Sequence, residues 1–174
     1  IRNGYVWAVL FVTVGYGALG FWDDYLKVTK RNTRGVPGRT KLIVQFVVGL
    51  VAAVWITLLA RGPLSTAVTV PVFKEVAIQL SIFFPLFATL VMMGASNAVN
   101  LTDGLDGLAI VPTMITAAVF TLIAYLVGNR IFADYLQLNP VAGVGELAIF
   151  LSALIGAGMG FLWYNAPPAR VFMG

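Results

Sequence analysis

The sequence predicts an all-α fold, a polytopic transmembrane helical bundle with five spans in this chain of 174 residues. Three observations predict it. Hydrophobic residues make up 60% of the chain, charged residues only 10%, and mean hydropathy is +0.93. A soluble domain carries about 25% charged residues, so this chain has too few charges to cover a globule in water. Five uncharged stretches also qualify, or nearly do, for the ~20 apolar residues that a helix needs to cross a bilayer. Finally, every charge falls between those stretches or at the chain ends.

The spans run over about residues 5–22, 42–60, 76–95, 108–129 and 147–164, all parts of one transmembrane domain covering 1–174. Gly156, Gly158 and Gly160 in the last span read as packing residues, because small side chains let helices approach closely in lipid. Gln45 within the second span reads as a helix-to-helix hydrogen bond, and Pro85 and Pro112 as kinks. Trp7, Trp22, Trp55 and Trp163 read as interface anchors or packing residues. Between the second and third spans, the alternation of Val68, Val70 and Val72 in the stretch punctuated by Pro63 and Pro71 suggests a short hairpin over Leu64–Phe73. Residues 128–145 read as an irregular connection.

Orientation follows from the Lys/Arg bias of short loops. Lys27, Lys30, Arg31, Arg34, Arg39 and Lys41 crowd the first loop, whereas the second holds Arg61 and Lys74 and the fourth only Arg130. The loops over about 23–41, 96–107 and 165–174 are therefore expected in the cytoplasm, and this basic loop can also meet anionic lipid or a diphosphate. The net charge of +4 is explained by that loop and gives no reason to expect nucleic acid as a partner. Without cysteine, disulfide and thiolate chemistry are excluded within these residues; without histidine, so are histidine catalysis and histidine metal ligation. The chain opens on Ile1 without an initiator Met and stops just after a helix, which predicts the middle of a larger protein.

Of seven acidic residues, Asp23, Asp24, Asp103 and Asp106 fall at the expected cytoplasmic helix ends, and Glu75, Asp134 and Glu146 on the outer side. Asp23 and Asp24 are expected to end the first span. Adjacent carboxylates there oppose the helix macrodipole and resist joint ionisation, so a positive partner is required. Lys27 lies four residues after Asp23 and three after Asp24, within reach of either on a continuing helix; a divalent metal or a substrate proton would also serve. The second cluster is Asn97-Ala-Val-Asn100-Leu-Thr-Asp103-Gly104-Leu-Asp106-Gly107. Asn97, Asn100, Asp103 and Asp106 recur at every third residue, which places four polar side chains toward one region. Carboxylate and amide oxygens suit Mg²⁺ that shares its shell with substrate phosphates. The plainer reading is helix capping plus a polar turn.

These residues carry a resemblance. Gly20-Phe-Trp-Asp23-Asp24-Tyr-Leu-Lys27, the run Asn97–Ala109, Phe161-Leu-Trp-Tyr-Asn165 and the closing Val171-Phe-Met-Gly174 closely resemble the phospho-N-acetylmuramoyl-pentapeptide transferases of the polyprenyl-phosphate N-acetylhexosamine-1-phosphate transferase superfamily. The resemblance implies a dimeric, ten-helix protein of the bacterial inner membrane, of which these spans would be the third to the seventh. It implies transfer of phospho-N-acetylmuramoyl-pentapeptide from its UDP-linked form to undecaprenyl phosphate, a membrane lipid, giving the first lipid-linked peptidoglycan precursor and UMP, with Mg²⁺ as cofactor. It implies that Asp23, supported by Asp24, accepts or holds the lipid phosphate proton. Lys27 and Lys41 would hold phosphate oxygens, Asn100 would ligate the metal, and Asn97, Asp103 and Asp106 would bind substrate, the acids orienting the uridine half. The main metal-binding aspartate of the family would directly follow Gly174, with a His-rich loop farther on, so the chain alone is expected to be inactive. A covalent aspartyl-phosphate route through Asp23 is the alternative mechanism. The rival functions are a sister transferase with another sugar, an ion-coupled transporter, which would instead place acids near mid-span, and a scaffold without turnover.

Overall fold

The computed structural model describes residues 2–29, 35–60, 62, 64–70 and 73–171. Lys30, Arg31 and Arg34 of the basic loop lie outside the described residues. The elements in order are α1 (Gly4–Thr29), α2 (Gly38–Leu59), β1 (Ala67–Val70), β2 (Phe73–Gln79), α3 (Phe84–Thr102), α4 (Ile110–Gly128), α5 (Arg130–Tyr135) and α6 (Leu147–Asn165), with 3₁₀ turns over Ser81–Phe83 and Val144–Glu146 leading into α3 and α6. Among the described residues five helices, α1 to α4 and α6, are long and apolar enough to cross a membrane. Their surface is that of a protein built for lipid. Phe21, Leu58, Ile82 and Ile149 are largely exposed, while the buried apolar positions are mostly small: Ala8, Ala52, Ala53, Ala109, Ala117 and Ala133. Lipid tails are as apolar as leucine, so close approach of small residues, rather than burial of large ones, joins such helices.

The chain divides into two units, residues 7–94 and residues 1–6 with 95–174. In the first, α1 packs on α2 through an edge-to-face contact of Phe11 and Trp55 and through Gly15 against Val48. The Tyr16 hydroxyl of α1 donates to the Gln45 backbone carbonyl of α2 at 3.0 Å, which ties the two helices at that level. Thr89 of α3, fully buried, lies beside Gly49 of α2. In the second unit α4 packs along α6, with Gly158 against Met114 and Ile110. The packing reading therefore holds at Gly158, whereas a Cβ added at Gly156 or Gly160 would meet nothing within 4 Å among the described residues.

Several boundaries differ from the sequence reading. The first helix does not end at Asp23–Asp24 but continues to Thr29, carrying both acids and Lys27. The hairpin exists, but its second strand pairs antiparallel as far as Gln79, with Ala67 opposite Gln79 and Val68 opposite Ile78, so the segment expected to start the third span at Val76 is strand. A short apolar run such as Val76-Ala-Ile78 has no period long enough to separate strand from helix. That span's helix accordingly starts at Phe84 and runs to Thr102. Pro85 and Pro112 are not kinks. Each lies in the first turn of its helix, where the missing N–H had no intrahelical partner. Within 128–145, Asn129 caps α5 by accepting from the Ile131 N–H at 3.0 Å, and Arg130 pairs with Asp134 at 3.8 Å on the exposed surface.

Candidate functional site

Asp23 is the centre of the first polar cluster. It is a carboxylate only 6% exposed, on a helix whose neighbouring positions Phe21 and Trp22 face outward. Two ammonium groups converge on its Oδ2: Lys27 Nζ at 2.9 Å, one turn on along α1, and Lys41 Nζ at 2.8 Å, from the first turn of α2. Its Oδ1 accepts the Val36 N–H at 2.7 Å, just before α2 begins. Asp24 is largely exposed and takes a second contact from Lys27 at 3.3 Å. A lysine in the first turn of a helix opposes the macrodipole; the Asp23 charge offsets that cost for Lys41. The sequence argument for a positive partner thus holds, and the partner is two lysines. Protonating Oδ2 would forfeit both contacts, so the geometry suits a fixed counter-ion.

The segment before α2 shapes this seat. Gly35 is buried with φ +59°, a conformation that favours glycine. A Cβ there would fall on Asp23 Oδ1, 3.0 Å from Asp23 Cγ and 3.2 Å from Lys27 Cε. Sequence reasoning missed Gly35 and Val36, since nothing in the local pattern shows what a distant backbone amide will meet.

The second cluster lies in the other unit. The period of three in 97–106 does not stay on one helix. Asn97 and Asn100 occupy the last turns of α3, where Thr102 Oγ1 folds back on the Val99 carbonyl at 2.7 Å, and Asp103 and Asp106 belong to the loop that follows. That loop is tied to the chain beyond α6. Asp106 Oδ2 accepts the Ala169 N–H at 2.9 Å. Gly107, at φ +74°, donates its N–H to Asn165 Oδ1 at 2.9 Å, and Asn165 Nδ2 donates to the Val171 carbonyl at 2.9 Å. Asn165 is 2% exposed and uses both ends of its amide. In the sequence Asn165 is one residue of the Phe161-Leu-Trp-Tyr-Asn165 run, and the signal of its role is a polar residue closing an apolar span. The Asp103–Ala109 loop and residues 166–171 are therefore cross-tied by hydrogen bonds through Asp106, Gly107 and Asn165.

Among the described residues no three acids converge as a metal cage. Mg²⁺ held jointly with substrate phosphates needs only one or two protein oxygens. Asn100 is exposed near the end of α3.

The family model of glycosyl transferase family 4 matches residues 6–174. A protein of Granulibacter bethesdensis named phospho-N-acetylmuramoyl-pentapeptide-transferase is 71% identical over all 174 residues of the chain, which correspond to 48% of its own length. A protein of the same name from Gluconobacter oxydans is 58% identical over the same 174 residues, again 48% of its length. The chain spans about half the length of the curated relatives it matches.

Proposed function

The chain belongs to glycosyl transferase family 4, and from that premise we propose that the whole protein transfers phospho-N-acetylmuramoyl-pentapeptide from its UDP-linked form to undecaprenyl phosphate, releasing UMP. The relatives' shared name supports the substrates. The observation that carries the chemistry is the pair of ammonium groups held on one buried carboxylate oxygen. Phosphoryl transfer asks the protein mainly for positioning and charge neutralisation. Lys27 and Lys41, each about one-third exposed at the side chain, bring two cations to one point from two helices. They would bind the oxygens of the attacking lipid phosphate.

In this reading Asp23 is the counter-ion that orients both lysines, with Asp24 sharing Lys27, and not the proton acceptor. A phosphate monoester has a second pKa of about 6. Beside two ammonium groups it is largely dianionic at neutral pH and needs no protein base to become a nucleophile. Asp103 and Asp106 would orient the uridine half, together with Asn97, on the surface that Asn165 ties down. Asn100 would help to hold Mg²⁺ through its amide oxygen, and the ion would supply charge neutralisation for the UMP leaving group. The Lys/Arg asymmetry and the family resemblance support a site facing the cytoplasm in the bacterial inner membrane, and the resemblance supports a homodimer.

The test is turnover by the purified whole protein. UMP release that requires both the UDP-linked muramoyl pentapeptide and undecaprenyl phosphate, and that stops on chelation of divalent cations, is expected. Equal turnover with UDP-N-acetylglucosamine would move the protein to a sister transferase. Ion flux without UMP release would favour a transporter.

A further inference from the structure

We infer that Gly35 is a positioning residue for the lysine pair: its bare backbone seats the Asp23 carboxylate, and the seated carboxylate brings Lys27 and Lys41 together to meet a phosphate. The inference rests on the phosphate-binding role proposed above. A turn glycine needs only its φ. Gly35 is constrained a second time, by space, because any Cβ would strike the Asp23 carboxylate and approach Lys27 Cε at 3.2 Å. Both neighbours belong to the cluster. The seat also decides which oxygen the lysines meet. With Oδ1 held by the Val36 N–H at 2.7 Å, Oδ2 is the oxygen both ammonium groups share, one from α1 and one from α2.

A side chain at position 35 would be accommodated by rotation of Asp23 away from Val36. That movement breaks the amide bond and withdraws Oδ2 from at least one lysine. Asp23 lies just past the apolar run of α1, level with the expected membrane surface, where a lipid headgroup phosphate would lie. The affected substrate should therefore be undecaprenyl phosphate rather than the nucleotide sugar.

Two substitutions separate space from φ. Asparagine tolerates positive φ but carries a Cβ, so Gly35→Asn keeps the turn and fills the seat. In the whole protein, Gly35→Ala and Gly35→Asn should each raise KM for undecaprenyl phosphate about tenfold or more, with KM for the UDP-sugar changed less than about threefold. In an Asp23→Asn background, Gly35→Ala should add less than about threefold, because both changes disable the same seat. The inference is overturned if Gly35→Asn behaves as wild type, if both KM values rise together, or if the effects of Gly35→Ala and Asp23→Asn multiply. Should Gly35→Ala fail to accumulate in membranes, the Asp23→Gly/Gly35→Ala pair decides: recovered accumulation supports the collision with Asp23, and continued loss reduces Gly35 to a turn residue. A wild-type protein that fails to consume either substrate would refute the proposed function instead.

Discussion

Replacing Asp23 with asparagine separates a counter-ion from a base. In the structure the carboxylate is 6% exposed and makes three polar contacts between 2.7 and 2.9 Å, two of them to ammonium groups. Breaking a fully buried ion pair costs about 3–5 kcal/mol, whereas an exposed one is worth about 0.2–1 kcal/mol. Lys27 and Lys41 are 38% and 33% exposed at the side chain, between those limits, so solvent screening lowers the figure to roughly 2–4 kcal/mol for the cluster. Asparagine keeps the shape but offers a single acceptor, leaving two lysines to repel each other over a neutral amide. If that energy is realised when phosphate binds and reacts, kcat/KM for undecaprenyl phosphate falls roughly 30- to 700-fold, at about 1.4 kcal/mol per tenfold. The assay is initial rate of UMP release by the whole protein, with undecaprenyl phosphate varied between about pH 6 and 9, alongside direct binding of the UDP-sugar. UDP-sugar affinity should stay within about threefold of wild type, and the acidic limb of the pH profile should keep its position, because that limb would belong to the phosphate. A loss below about tenfold would remove Asp23 from the reaction. An acidic limb that vanishes in Asp23→Asn would restore Asp23 as the base.

Lys41→Met should lower kcat/KM for undecaprenyl phosphate, and its combination with Asp23→Asn should cost less than the product of the two single effects; full multiplicativity would mean that the residues act separately. Asp106→Asn should weaken use of the UDP-sugar while the protein still inserts, since Oδ2 is tied to the Ala169 N–H and the loss falls on the charge; unchanged KM at matched expression would leave Asp106 as part of a polar turn. Asn165→Leu leaves the buried Gly107 N–H and the Val171 carbonyl without their partner, at roughly 2–4 kcal/mol; a thermal midpoint within about a degree of wild type would refute the tie. Arg39→Cys should be labelled from the cytoplasm and Ser65→Cys from outside, and labelling of Ser65→Cys only from the cytoplasmic side would invert the orientation.

What the sequence determined by itself is whatever composition and local spacing carry. Five apolar stretches separated by charge demand helices in lipid, because an isolated backbone has no other way to satisfy its polar groups there. The i to i+4 spacing of Asp23 and Lys27 predicts their ion pair, since helical geometry alone brings them together. The tertiary structure decided where those patterns stop and what meets across them. Val76–Gln79 became strand because Val68 and Ala67 lie opposite to pair with it. The run from Asn97 to Asp106 split between a helix and a loop because the loop is tied to Asn165 and Ala169, about sixty residues away in the chain. Lys41 joined Asp23, and Gly35 left room for the Asp23 carboxylate, by contacts that no local period encodes. Contacts of that kind depend on chain reversal and on the fit of backbone amides to distant side chains, and those exist only once the helices have packed.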